Sequence, residues 1–252
     1  MTHMVYEIQR NRRTKNETPI GRGDLEAQNL VPGSANNIII IEDFISQEKI
    51  KDWMDLLSTV SWSRGKFSSD AITNYEKVDK KFIRCAKDQV TRAVELASRT
   101  YGTRLCVYGS TTESVDLGGV NRWDVGDSLK LHADSENESC TAVLRTYTGH
   151  SLPPFLIMYS ALIYLNDDYE GGELHFPLHG IEIKPKPGTL IMFPGNCMYL
   201  HEVKEVLSGH RYTHNFFLSS INLSEVYLDM FRMIKNQDTK DSHGQAEAAD
   251  YY

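Results

Sequence analysis

Apolar and polar positions fall into two textures along this chain. In the first, Val78, Phe82, Ala86, Val90, Ala93, Ala97 and Tyr101 recur at spacings of three and four, the period of one helix face, and Gly102 supplies a stop. This predicts a long amphipathic helix from about Val78 to Thr100, which needs a sheet or another helix to cover its apolar stripe. A shorter helix is predicted from about Gln47 to Thr59, capped by Ser46, with Trp53, Leu56 and Leu57 buried. Ahead of it, the β-branched run Asn37–Phe44 reads as the first strand.

The second texture runs from about Leu105 to Ser219, where short β-rich runs are broken by Gly, Pro, Asn and Asp. Strands are predicted at Ser128–Ala133, Leu156–Leu165, Glu173–Phe176, Ile181–Lys184, Gly188–Phe193 and Tyr212–Leu218, with Asn166–Gly172 as a turn. Many short strands at this spacing suggest an antiparallel barrel or jelly roll. A closing helix is expected from Ser220 to about Lys235, burying Leu223, Tyr227, Met230, Phe231 and Ile234. The pattern divides the chain into a polar arm at 1–36, one domain at 37–235 and a polar tail at 236–252. Within the domain, 46–101 is helical support, 105–219 the β core and 220–235 the closing helix.

Composition narrows the function classes. The formal net charge of −7 disfavours non-specific nucleic-acid binding, which depends on neutralising phosphates, and Arg10, Arg12, Arg13 and Lys15 read as a solvated cluster. The apolar segment Phe155–Leu165 is too short to span a bilayer as a helix, which takes about 20 residues. The opening lacks an apolar core, so neither a secretory signal nor a membrane association is expected, and the cytoplasm is the expected location. Cys85, Cys106, Cys140 and Cys197 form no CxxC pair, which fits a reducing compartment.

Candidate chemistry centres on the stretch LKLHADSE. His132 and Asp134 are two residues apart at a strand end, so their side chains share a face and can converge on one metal. His201, following Phe193-Pro194-Gly195, is the candidate third ligand. Two imidazoles and one carboxylate on one face of an ion leave positions open for a 2-oxoacid and O2, the arrangement of oxygen-activating iron enzymes. A closed structural zinc site would fill every position with protein ligands. Arg211, ten residues beyond His201, offers a planar fork suited to the distal carboxylate of a dicarboxylate co-substrate. Two other readings use the same residues: a zinc hydrolase, and a metal-free jelly-roll binding protein.

Four stretches in order resemble the 2-oxoglutarate and iron(II)-dependent oxygenase superfamily, within it the prolyl 4-hydroxylase-like branch. They are NRWDVGDSLKLHAD, ALIYLNDDYEGGELHFP, KPKPGTLIMFPG and HEVKEVLSGHRYTHNFFL, covering roughly Asn121 to Leu218. The resemblance implies a mainly β, cupin-like double-stranded β-helix (jelly roll) with helices packed on its N-terminal side and a C-terminal helix. It assigns His132, Asp134 and His201 to iron, and Arg211 and Tyr164 to the distal carboxylate of 2-oxoglutarate. Tyr164 should point inward if Ile163 and Leu165 point out. Asn215 and Phe217 share the face of Arg211 by strand period and should lie near cofactor and iron. Trp123 and Leu129 stand where relatives often carry tyrosines.

The activity implied is oxidation of an unactivated carbon, most often hydroxylation, with decarboxylation of 2-oxoglutarate to succinate. Fe(II), 2-oxoglutarate and O2 are the implied cofactors, with ascorbate a candidate reductant. Asp134 stands where similar halogenases carry Gly or Ala to make room for chloride, so hydroxylation is preferred to chlorination; desaturation or cyclisation remains open. The stretch from Glu136 to Pro154 is longer than compact relatives need and should lie near the barrel mouth, where loops set specificity. Trp123, Arg145, Tyr147 and His150 are the candidate substrate contacts. The expected substrate is an amino acid or amino-acid-like small molecule, with a prolyl residue in a peptide as the alternative. A monomer or homodimer is expected.

Overall fold

The computed structural model describes residues 31–64, 69–70, 80–108, 110, 116–135, 144–145, 151–152 and 156–220. The expectations for the arm up to residue 30, for Val78, Tyr147 and His150, for the closing helix beyond Ser220 and for the tail lie outside the described residues.

In chain order, strand β1 (Ile39–Ile41) precedes helix α1 (Gln47–Leu57), the short strands β2 (Ser63–Arg64) and β3 (Ser69–Asp70), and helix α2 (Lys80–Thr100). Strands β4 (Leu105–Val107), β5 (Gly119–Trp123), β6 (Leu129–His132), β7 (Leu144–Arg145), β8 (Ser151–Leu152) and β9 (Tyr159–Tyr164) follow. The chain continues with β10 (Glu170–Gly171), β11 (Leu174–Phe176), β12 (Ile181–Ile183), β13 (Leu190–Pro194), β14 (His201–Val203), β15 (Val206–Ser208) and β16 (Arg211–Ser220). A larger sheet has the order β1-β13-β9-β16-β5-β3-β2, with β4 also on β16. A smaller one has the order β12-β11-β14-β6. All pairings are antiparallel. The molecule is thus mainly β, the sheet arrangement of a double-stranded β-helix.

Strand alternation builds two cores from the larger sheet. Ala161 and Ile163 of β9, Leu190 and Met192 of β13, and Phe216 and Leu218 of β16 face the helices. There they meet Trp53 and Leu57 of α1 and Ala86, Val90, Ala93 and Ala97 of α2. The small residues of the α2 stripe let the helix lie close on the sheet. Ser46 caps α1 by accepting from the Lys49 amide, and Gly102 ends α2 at φ +66, where a residue without Cβ is unstrained. The opposite positions, Tyr164 of β9, Ile191 and Phe193 of β13, and Trp123 of β5, pack against Leu174, Phe176 and Val203 of the smaller sheet.

The first strand is shorter than its apolar run suggests. Asn37 leaves the ladder for a 3-10 turn, and its side-chain amide donates to the hydroxyl of Tyr199 (2.6 Å) and to the carbonyl of Val31 (3.0 Å). The predicted closing strand is longer at both ends, Arg211–Ser220, because it is central and pairs along its length with β5, β9 and β4. The loop from Glu136 to Pro154 contains the small ladder of β7 with β8. Among the described residues, no helix is long and apolar enough to cross a membrane.

Candidate metal centre and co-substrate seat

His132 and His201 are register partners on β6 and β14, so their side chains emerge on one face of the smaller sheet. Their ring centroids lie 4.3 Å apart. Asp134 follows the end of β6, with Oδ1 3.3 Å from Nε2 of His132 and Oδ2 3.6 Å from Nε2 of His201. The three ligand atoms lie within 4.8 Å of one another, a spacing that could hold a metal ion. Backbone carbonyls set both imidazoles. Nδ1–H of His132 donates to Lys130 (2.8 Å), and Nδ1–H of His201 donates to Tyr199 (3.1 Å). A carbonyl only accepts, so Nδ1 of each ring carries a proton and Nε2 is the atom aimed at Asp134 and available to a metal.

The turn after β6 is fastened to the end of β13. The amide of Ser135 donates to the carbonyl of Gly195 at 2.9 Å, and its hydroxyl donates to the same oxygen at 2.8 Å. This fixes the backbone beside Asp134. Burial alone would raise the Asp134 pKa, but the charges and hydrogen bonds of His201, His132 and Ser160 hold it below the ordinary carboxylate value. Burial dominates at His201 and keeps it lowered, toward the neutral form that ligates. Burial also opposes protonation of His132, but Asp134 outweighs it and the pKa rises.

Arg211 lies in the barrel interior and is fully buried. Its Nη2 donates to the Tyr164 hydroxyl at 2.8 Å. Its guanidinium carbon stands 4.9 Å from the ring centroid of Tyr164 and 5.3 Å from that of Trp123. Among the described residues, its Nε and Nη1 have no hydrogen-bond partner and no carboxylate pairs with it. A buried cation without a counter-ion is costly unless a ligand supplies one. The indole N–H of Trp123 is likewise buried without a partner among the described residues, and the Tyr169 hydroxyl lies beside the guanidinium. This donor-rich, cationic end fits a carboxylate, and the His-Asp-His group fits a divalent metal.

Tyr164 points inward as its alternation requires, but Ile163 and Leu165 do not face water, because the helices cover them. Asn215 and Phe217 share the inward face of β16 with Arg211, and Asn215 donates to the Asn121 side chain at 2.5 Å. Trp123 sits opposite Arg211 in register, buried against it. It therefore walls the cationic end of the barrel. Arg145 falls in β7. Sequence reasoning missed Ser160, whose hydroxyl donates to Asp134 Oδ2. The available signal was its polarity at an inward position of the alternating run YSALIY.

The fold and site together give a jelly-roll protein in which a His-Asp-His cluster that could hold a metal ion shares the barrel with a buried arginine. Residues 118–219 match the family model described as "2OG-Fe(II) oxygenase superfamily". Prolyl 3-hydroxylase 2 of Homo sapiens is 45% identical over 94 residues, covering 33% of this chain and 12% of that protein. The protein of the same name from Mus musculus is 35% identical over 131 residues, covering 46% of this chain and 18% of its own. The chain therefore matches less than a fifth of the length of these relatives.

Among solved structures, a Trichoplax adhaerens prolyl hydroxylase in complex with a hypoxia inducible factor peptide fragment has a TM-score of 0.55. It is 18% identical, and the match covers 76% of this chain and 87% of that one. A 2OG-Fe(II) oxygenase family oxidoreductase from Burkholderia pseudomallei has a TM-score of 0.53 at 14% identity, covering 73% and 85%. These two share the fold. Residues 118–219 of the chain are thus similar to the 2OG-Fe(II) oxygenase superfamily, and the prolyl hydroxylases among the relatives and the solved structures point the same way. The cofactors of that family are Fe(II), 2-oxoglutarate and O2.

Proposed function

We propose that this protein hydroxylates an unactivated carbon of a prolyl-type residue within a peptide, using Fe(II) held by His132, Asp134 and His201. The observation that carries the site assignment is the buried Arg211, paired with no carboxylate among the described residues, in the same barrel as the His-Asp-His cluster. Arg211 and Tyr164 would seat the distal carboxylate of 2-oxoglutarate. Bound Fe(II) and 2-oxoglutarate supply oxidative decarboxylation of the co-substrate to succinate and CO2, coupled to insertion of one oxygen atom from O2 into a C–H bond.

The chain's own residues bind, orient and exclude water. Both imidazoles aim Nε2 into the cluster, burial holds His201 toward its neutral form, and Asp134 stays ionised and would balance the metal's charge. Arg211 meets a carboxylate with its two unpartnered N–H groups, at low local dielectric, where such a charge-assisted pair is strong. Ile191, Leu174, Phe176 and Phe193 line the interior and keep bulk water from the reacting centre.

The peptide reading is supported by the relatives named prolyl 3-hydroxylase 2, whose alignment falls on this chain at 45% identity. The free amino acid or similar small molecule expected from the sequence is the other arm of the test. The protein is incubated with Fe(II), 2-oxoglutarate and O2, and with either proline-containing peptides or free amino acids, and succinate and the gain of one oxygen are followed by mass spectrometry. Oxygen gain on peptides supports the proposal. Gain only on free amino acids overturns the peptide reading, and no substrate-dependent succinate in either arm overturns the hydroxylase reading.

A further inference from the structure

Ser160 occupies an unexpected place for a hydroxyl. Strand β9 turns Ser160, Leu162 and Tyr164 into the barrel, and the cross-strand neighbours of Ser160 are Phe193 on β13 and Phe217 on β16. The side chain is thus flanked by two aromatic positions on a buried rung, with 1% of its surface exposed. Such a rung favours an apolar residue, because a buried hydroxyl without a partner costs about 1–3 kcal/mol. Here the hydroxyl has one: it donates to Oδ2 of Asp134. Among the described residues, and apart from the two imidazoles, Ser160 supplies the side-chain hydrogen bond that this carboxylate receives.

The contact bridges the two sheets. Asp134 follows β6 of the smaller sheet, and Ser160 lies on β9 of the larger one. Ser135 already anchors the backbone at this turn through Gly195, but that bond leaves the Asp134 carboxyl free to rotate about its own side-chain torsions. A second, side-chain restraint is needed to fix how the two oxygens are turned toward the two imidazoles.

We propose that Ser160 is a positioning residue for the metal centre: its hydroxyl engages Oδ2 of Asp134 and fixes how the carboxylate is turned toward the two imidazoles. This rests on the reading of His132, Asp134 and His201 as a metal site. Groups that orient a ligating carboxylate set metal affinity as well as turnover, so the effect is measurable without catalysis.

The test is an anaerobic Co(II) titration of the full chain, read from the visible absorption of the bound ion, for the parent, Ser160→Ala, Ser160→Thr and Ser160→Cys. Thermal unfolding of the metal-free proteins is recorded alongside. Ser160→Ala should weaken Co(II) binding by about 10- to 100-fold, in the range found when such outer partners are removed. Ser160→Thr keeps the hydroxyl and should restore most of the affinity. Ser160→Cys, with a weaker donor in a similar volume, should fall between, and it reads the same direction if the alanine variant fails to fold. Parental affinity in Ser160→Ala or Ser160→Cys overturns the proposal. So does equal weakening in the alanine and threonine variants together with equal loss of metal-free stability, since that marks a packing role. A parent that binds no Co(II) overturns the metal-site reading itself, and this inference with it.

Discussion

Arg211 and Tyr164 meet inside the barrel, guanidinium Nη2 to phenol oxygen at 2.8 Å, from strands that lie side by side. The bond uses one edge of the fork and leaves Nε and Nη1 for a ligand. Because the arginine donates, the tyrosine's own proton is free to point at the same carboxylate. Tyr164→Phe should therefore raise the dissociation constant for 2-oxoglutarate by about ten- to a hundredfold, the worth of one hydrogen bond to a charged group. Arg211→Met should lose binding more completely. Calorimetry with the metal-loaded protein checks both, and Co(II) affinity should stay near the parental value in each.

The metal ligands make a sharper test. Asp134→Ala should abolish both succinate formation and the gain of oxygen on substrate, because it removes the single anionic ligand of the cluster. His201→Ala should do the same through loss of a buried imidazole. Mass spectrometry of product and co-substrate in parallel reads both. Parental oxygen gain by Asp134→Ala would falsify the ligand assignment.

Gly172 links the Gly-Gly turn to the co-substrate seat. It adopts φ +66, and an added Cβ would lie 3.0 Å from Cδ of Arg211 and 3.2 Å from the Tyr169 ring. Gly172→Ala would strain the backbone by about 1–2 kcal/mol and push on the arginine stem. The expected result is weaker 2-oxoglutarate binding together with a lower unfolding midpoint, read by calorimetry and thermal melts.

His214 gives the fold a pH dependence separate from catalysis. It is buried on the helix-facing side of β16 with its ring 5.3 Å from that of Trp53 in α1, and its Nε2–H donates to the Leu117 carbonyl at 2.7 Å. Burial lowers its pKa from 6.5 to about 4. The unfolded chain therefore takes up a proton first as pH falls. The stabilisation is fully present above the unfolded value and is lost through the folded one, about 3 kcal/mol across that window. Urea denaturation at a series of pH values should show this decline, and His214→Phe should flatten it. An unchanged slope in the variant would assign the acid sensitivity elsewhere.

Much of the site was legible in the sequence because it follows from periods. A two-residue spacing put His132 and Asp134 on one face, and the strand period carried Arg211, Asn215 and Phe217 inward together. Alternation also predicted the inward turn of Tyr164. It could not tell that Ile163 and Leu165 are buried as well, since an apolar run reads the same whether its second face meets water or helices. Trp123 read as a candidate substrate contact, and only the register of β5 with β16 set it against Arg211.

The sequence by itself determined local chemistry: which residues form strands and helices, which share a face, and which could ligate or carry charge. Period and propensity act over a few residues, so neighbours along the chain are enough to set them. Tertiary structure alone decided the meetings across long separations: His132 opposite His201, Ser160 at Asp134, and an arginine sealed away from every described carboxylate. Those depend on strand order and register, which come from the packing of whole sheets and helices rather than from any one segment.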